Sequence, residues 1–206
     1  MTIHVLFENE DLFAVEKPEG ISTVFERCKE VGCLVQSLRD ITGLPLMPVH
    51  RLDKAVSGAV VFAKHPRAHR ILNLMFDRRE VHKTYAAVVH GIIEDRRGVI
   101  DKPIRQFGSG RMGVDEIRGK ESITRFETVK SDSQYTWVKL MPDTGRRHQL
   151  RVHMYSIGRP IVGDPMYGDR SVQSGYPRLM LHSQCIEFSW NGEALQIASP
   201  IPETFL

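Results

Sequence analysis

The stretch His50-Arg51-Leu52-Asp53-Lys54-Ala55-Val56-Ser57-Gly58 runs directly into Ala59-Val60-Val61-Phe62-Ala63. The second half is a short, strongly apolar run before Lys64, and it reads as a buried strand. The first half is polar and turn-like, and it brings one carboxylate, Asp53, to the entrance of that strand. Taken alone, the segment has two readings. Asp53 is either a cap or ion-pair partner in a charged loop, or a carboxylate placed for chemistry.

The surrounding elements supply the context. Ile3, Val5 and Phe7 alternate, and Leu12 to Val15 follow Asn9-Glu10-Asp11, a β-hairpin pattern. Lys17-Pro18-Glu19-Gly20 ends it as a turn. Val31, Leu34, Val35, Leu38 and Ile41 have helical spacing, stopped by Gly43 and Pro45. Pro66 opens a second helix with Ile71, Leu72, Met75 and Phe76 on its core face. Strands are expected over 83–90, 123–129 and 135–141. A short helix is expected over 147–157, with Gly158 as its C-cap. Residues 185–190 and 194–198 form a hairpin around Asn191-Gly192. Between them, 93–120 is polar and glycine-rich. Its stretch 105–120, with Arg105, Arg111, Arg118 and Lys120, is either a loop that closes over a ligand or a disordered surface loop. Strands outnumber helices, and helices interrupt them irregularly. The fold class is therefore α+β, built on a large mixed, mostly antiparallel β-sheet with flanking helices and loops, as one domain over 1–206.

Composition narrows the class of protein. With 41% hydrophobic and 26% charged residues in 206, the chain can form an ordinary core. No apolar run approaches the roughly 20 residues of a membrane helix. The N-terminus lacks a basic start and a long apolar block, so a signal peptide is not expected. Cys28, Cys33 and Cys185 form an odd set without zinc-like spacing, read as buried thiols of a reducing compartment, hence a cytoplasmic protein. No metal or cofactor is called for. The net charge of +3 says little. Local basic density says more: Arg67, Arg70, Arg78, Arg79, His82 and Lys83 form one cluster, and Arg146, Arg147, His148, Arg151 and His153 another. Each is by itself an ordinary solvated face.

Four further segments take their place beside the Asp53 stretch: Asp11 to Gly20, Lys83 to Gly91, Asp143 to His153, and Gly158 to Asp164 with Leu179 to His182. In this order they resemble the motifs of the RluA-type pseudouridine synthases, across nearly the whole chain. The resemblance implies an enzyme that isomerises uridine to pseudouridine in structured RNA, rRNA or tRNA. It implies Asp53, Tyr85 and Arg151 as catalytic residues, with Arg151 as the ion-pair partner of Asp53. Tyr85 would pack against a base flipped out of its stack, and Arg51 would fill the space that base leaves. His50, though more a stabiliser of the turn, is grouped with Arg51, Arg146, Arg147 and His148 as RNA-binding, the last three on the backbone. The chain departs from the family at Val56 and Arg147, where hydroxyl residues are more usual. Ile21-Ser22-Thr23-Val24 also lacks the common His-Pro. No separate N-terminal RNA-binding domain is expected, and a monomer is.

The reaction breaks a C–N glycosidic bond and makes a C–C bond, so one ionised carboxylate suffices as nucleophile or base. Two other classes compete. A glycosidase-like hydrolase would need a second catalytic carboxylate, for which Asp143 and Asp164 are available. A catalytically silent RNA-binding module would not need Asp53, Tyr85 and Arg151 together.

Overall fold

A computed structural model describes residues 3–25, 32–108 and 110–205. It resolves two compact units, residues 1–83 with 183–200, and residues 84–182 with 201–206. Val31 and Cys28 lie outside the described residues.

In the first unit, β1 (His4–Glu8) and β2 (Leu12–Lys17) form the expected hairpin. Its turn is closed by the Asn9 side chain, whose Oδ1 accepts from the N–H groups of Asp11 (2.9 Å) and Leu12 (2.7 Å). The alternation of Ile3, Val5 and Phe7 does not survive in β1. The register shifts between Val5 and Phe7, so Val5 faces solvent while Leu6 and Phe7 pack on the core. After α1 (Leu34–Thr42) and the short β3 (Met47–Pro48), β4 (Ser57–Ala63) runs antiparallel to β2. Every residue of β4 is buried, as the apolar run Gly58 to Ala63 requires.

Helix α1 ends where Gly43 adopts φ 69° and donates its N–H to Arg39. Ile41 is exposed, so the buried face of α1 is Leu34, Val35 and Leu38. Helix α2 (Pro66–Asp77) begins at Pro66, with His65 Nδ1 accepting from Ala68 N–H. Its core face is Ala68, Leu72 and Met75; Ile71 points outward and Phe76 is only part-buried. These residues pack with Leu12, Ala14, Ala59, Val61 and Ala63, and with Ile186, Phe188, Trp190 and Ile197 of the last hairpin.

That hairpin is β11 (Leu181–Trp190) with β12 (Glu193–Ala198). Its Asn191-Gly192 turn has positive φ at both residues, 53° and 88°, which matches a two-residue turn to strand twist. The start of β4 lies against Ser183 of β11, where a Cβ on Gly58 would sit 2.3 Å from the Ser183 carbonyl oxygen.

In the second unit, β5 (His82–His90) contributes Thr84 to His90 and pairs antiparallel with β10 (Tyr135–Pro142). Next come β9 (Ile123–Ser131) and, at the edge, β6 (Arg97–Asp101), again antiparallel. Within the glycine-rich region, β7 (Ile104–Gln106) and β8 (Met112–Val114) make a separate hairpin. Asp115 caps the following turn by accepting from Ile117 and Arg118 N–H, and pairs with Arg105 at 3.0 Å.

Helix α3 (Gln149–Ser156) starts two residues later than its sequence suggests. The reason is His148, whose φ of 56° takes it out of the helical region. The last helix, α4 (Arg170–Gln173), is a single turn. No helix among the described residues is long and apolar enough to cross a membrane.

Gly58 has φ 113° as well as a crowded Cβ position. Gly58→Ala is therefore expected to cost at least about 2 kcal/mol in a denaturant melt, from strain plus overlap. Gly43→Ala, with positive φ but open space, should cost only about 1 kcal/mol. Equal losses at the two positions would contradict the packing assigned to Gly58.

Candidate active site

In the first unit Asp53 opens a tight turn, its carbonyl accepting from Val56 N–H at 3.0 Å. Aspartate favours this first turn position. The flanking backbone is held from both sides. Thr23, buried, uses one hydroxyl twice: it donates to the Leu52 carbonyl and accepts from the Leu52 N–H, both at 3.1 Å. Thr23 is itself held by α1, since its carbonyl accepts from Val35 N–H (3.1 Å) and Ser22 accepts from Leu34 N–H (2.8 Å). These are N–H groups that a helix start leaves without internal partners.

On the other side, the Lys54 carbonyl accepts from Gly20 N–H (2.8 Å) and from the Lys17 ammonium (3.3 Å). Lys17 is fully buried, and it also donates to the carbonyls of Pro18 (2.8 Å) and Ile21 (2.9 Å). Three N–H bonds thus find three carbonyls, which is how a buried ammonium is tolerated. The Lys-Pro-Glu-Gly turn is therefore a bracket for the Asp53 turn. Leu52 and Val56 are buried anchors on either side, while Asp53 is partly accessible and Arg51 exposed.

His50, grouped with the RNA-contacting residues by sequence, is arranged differently. Its Nε2 accepts from Val61 N–H at 3.0 Å, and its ring stacks on Phe76 at 5.1 Å. Strand β3 pairs with Ala63 and Phe62 and then ends; the imidazole takes the next N–H of β4. Burial first, and the Lys83 charge second, push its pKa down to about 3. With that nitrogen engaged, the ring stabilises the strand entrance.

In the second unit Tyr85 lies in β5, largely buried, opposite Leu140. Arg151, on α3, is not a surface arginine. It makes a buried, two-pronged pair with Asp164, Nε to Oδ2 and Nη2 to Oδ1, both 2.7 Å. Asp164 Oδ1 also accepts from Met166 N–H (2.9 Å) and Tyr167 N–H (3.0 Å). The Arg151 guanidinium lies 5.1 Å from the Tyr167 ring centroid. Gly163 makes this turn possible: its φ is 73°, and a Cβ would overlap the Arg178 carbonyl.

The helix start is fixed by Gln149. Its amide donates to the Ile123 carbonyl (2.9 Å) and Thr124 Oγ1 (3.0 Å), and its oxygen accepts from Thr144 Oγ1 (2.8 Å) and Arg146 N–H (3.0 Å). His153 is occupied by Thr124 Oγ1 (2.9 Å) and the Lys102 carbonyl (3.0 Å), and burial lowers its pKa. His148 Nδ1 faces the Tyr167 hydroxyl at 2.9 Å. Arg146 and Arg147 are exposed just before α3, with Arg146 Nε donating to the Glu121 carbonyl.

Reading the sequence missed the parts played by Lys17, Thr23, Gln149 and Tyr167, and the pairing of Asp164 with Arg151. The clearest available signal was Gly163-Asp164, a glycine that frees the backbone next to a carboxylate. Among the described residues no group of three or more His, Cys, Asp or Glu is placed to hold a metal ion.

Residues 11–156 match the family model described as RNA pseudouridylate synthase, and the chain belongs to that family, in its RluA-type branch. An uncharacterized RNA pseudouridine synthase of Zymomonas mobilis is 32% identical over 98% of this chain and 94% of its own length. The dual-specificity RNA pseudouridine synthase RluA of Vibrio cholerae is 37% identical over 88% of this chain and 75% of its own. Among solved structures, human RNA pseudouridylate synthase domain containing 1 superposes with a TM-score of 0.82 at 29% identity, covering 97% of this chain and 83% of that one. The chain is thus an RNA pseudouridine synthase, an isomerase acting on RNA.

Two outcomes are expected. Arg151→Ala strands the Asp164 carboxylate without its guanidinium, and should cost about 3–5 kcal/mol in a urea melt; an unchanged midpoint would contradict the buried pair. His50 gives a pH effect. Its folded pKa, about 3, lies below the ordinary 6.5, so the unfolded chain takes up a proton the folded chain refuses. The linked stability is whole above about pH 6.5 and is lost as pH falls toward 3. His153 acts in the same direction. His50→Gln should therefore lose less stability than wild type between pH 7 and 4.5, and identical losses would contradict the assignment.

Proposed function

We propose that Asp53 is the group that performs the isomerisation, as nucleophile or base, with Tyr85 and Arg151 as its catalytic partners. The observation that carries this reading is the bracketed turn. A partly accessible carboxylate sits on backbone fixed on one side by Thr23 and on the other by Lys17 and Gly20. A reacting group held this way needs little reorganisation when substrate arrives.

The bond changes are simple. The glycosidic C1′–N1 bond breaks, the detached uracil turns while still bound, and C5 bonds to C1′. The C5 proton is lost and N1 gains one. Oxidation state and composition are unchanged. Attack at C1′ and proton abstraction both call for a carboxylate oxygen, and Asp53 carries one. In this reading Tyr85 packs on the flipped base. Arg151 pairs with Asp53 while Asp164 orients its guanidinium from behind; an arginine fork has donors enough for two carboxylates. Arg51 fills the gap left in the RNA stack, and exposed Arg146 and Arg147 contact phosphates.

The substrate is proposed to be a structured rRNA or tRNA segment. The setting is the cytoplasm, where the buried thiols Cys33 and Cys185 stay reduced, and the working form is a monomer.

Tritium release from RNA labelled at uridine C5 reads the C5 proton loss directly. Asp53→Asn should release none above background while binding the same RNA within a few-fold of wild type. Substantial turnover by Asp53→Asn would remove Asp53 from the chemistry.

A further inference from the structure

Beside the β7–β8 hairpin, α3 leaves a hollow of about 480 Å³. Phe107, Arg111, Met112 and Val114 line it from the hairpin, Tyr155 from α3, and Tyr167 from the turn after Asp164. Two of the rings are unusually open to solvent for aromatic side chains, Phe107 at 39% and Tyr155 at 47%. Tyr167 forms a rigid floor. It is 1% exposed, and its hydroxyl accepts from Met112 N–H (3.2 Å) while facing His148 Nδ1 (2.9 Å).

The Arg111 guanidinium lies 5.0 Å from the Tyr167 ring centroid and 5.8 Å from that of Tyr155. Arg105 lies 4.7 Å from the Phe107 ring. Gly113 lets Phe107 lie across the hairpin, since a Cβ there would be 2.9 Å from the ring. Among the described residues the lining contains an arginine and no carboxylate.

Flat rings with an open face, an arginine beside them and no acidic group form a surface suited to a π-faced ligand carrying negative charge. We propose that this hollow is a subsite for one unstacked base of the bound RNA, away from the target uridine in sequence, stacked on Tyr155, with Arg111 on an adjacent phosphate. The proposal rests on the chain being an RNA-modifying enzyme. It gives the β7–β8 strands a job other than a lid: an arm that grips a neighbouring nucleotide.

The test uses the full chain and a fluorescein-labelled single-stranded 12-mer oligouridylate, with affinity read by anisotropy across a salt series. Tyr155→Ala should weaken binding about tenfold with an unchanged slope of log affinity against log salt. Tyr155→Phe should bind like wild type, and Tyr155→Leu, which keeps apolar cover but not the flat ring, like Tyr155→Ala. Arg111→Gln should reduce the salt slope by about 0.7, the signature of one lost single-strand phosphate contact. Oligomers carrying one abasic nucleotide at successive positions add a cycle. One position distinct from the target site should cost wild type affinity yet cost Tyr155→Ala nothing further.

Wild-type affinity in both Tyr155→Ala and Tyr155→Leu would overturn the subsite. So would an abasic profile that Tyr155→Ala leaves unchanged, as expected if the hollow receives a peptide. Tritium release by wild type is measured alongside. Its absence would count against the isomerase reading and leave the binding result to stand by itself.

Discussion

Everything proposed for Asp53 depends on how its backbone is held. A turn of polar residues at the mouth of a strand would normally be among the more mobile parts of a fold. Here one threonine hydroxyl occupies both the N–H and the C=O of Leu52, and a buried ammonium with a glycine N–H occupies the carbonyl of Lys54. The residue between them has little backbone freedom left. The clamp reaches back into regular structure, since Thr23 is anchored by the start of α1 and Lys17 is the last residue of β2. Burying a lysine is costly unless its protons are matched. The carbonyl cage does this, and the same cage shapes the turn.

The second unit shows a comparable economy around Arg151. Asp164 receives two guanidinium bonds and two backbone N–H groups, and Tyr167 covers the pair. This fixes the orientation of Arg151 on a short helix whose own first residue, Gln149, is tied by two side-chain hydrogen bonds to β9 and by two more to Thr144 and Arg146 just before the helix. Polar networks of this kind hold geometry as long as each member is satisfied. Tyr167 carries the same order outward, because its hydroxyl reaches the β7–β8 hairpin through Met112.

Much of this architecture was legible in the chain, and the rest was hidden for physical reasons. The apolar run of β4, Gly43 ending α1, Pro66 opening α2 and Asn191-Gly192 joining the last hairpin are local signals, and each stands where its residues put it. The start of α3 was misread because a histidine at positive φ leaves no trace in a periodicity. Val5 and Leu6 exchanged faces because one bulge shifts a period-two pattern. Lys17 read as a turn residue because lysine is almost never fully buried. His50 read chiefly as a stabiliser of the turn, and its bond to the Val61 N–H and its stack on Phe76 show how it is held. The resemblance named Asp53, Tyr85 and Arg151, whereas the Asp164 pair and the Thr23 clamp needed three dimensions.

The most direct test of the account is carbodiimide mapping of pseudouridine in total RNA from cells that have or lack this gene, complemented with wild type or Asp53→Asn. The account predicts one or a few uridines that lose modification with the gene and regain it with wild type alone. Restoration of those sites by Asp53→Asn would contradict it.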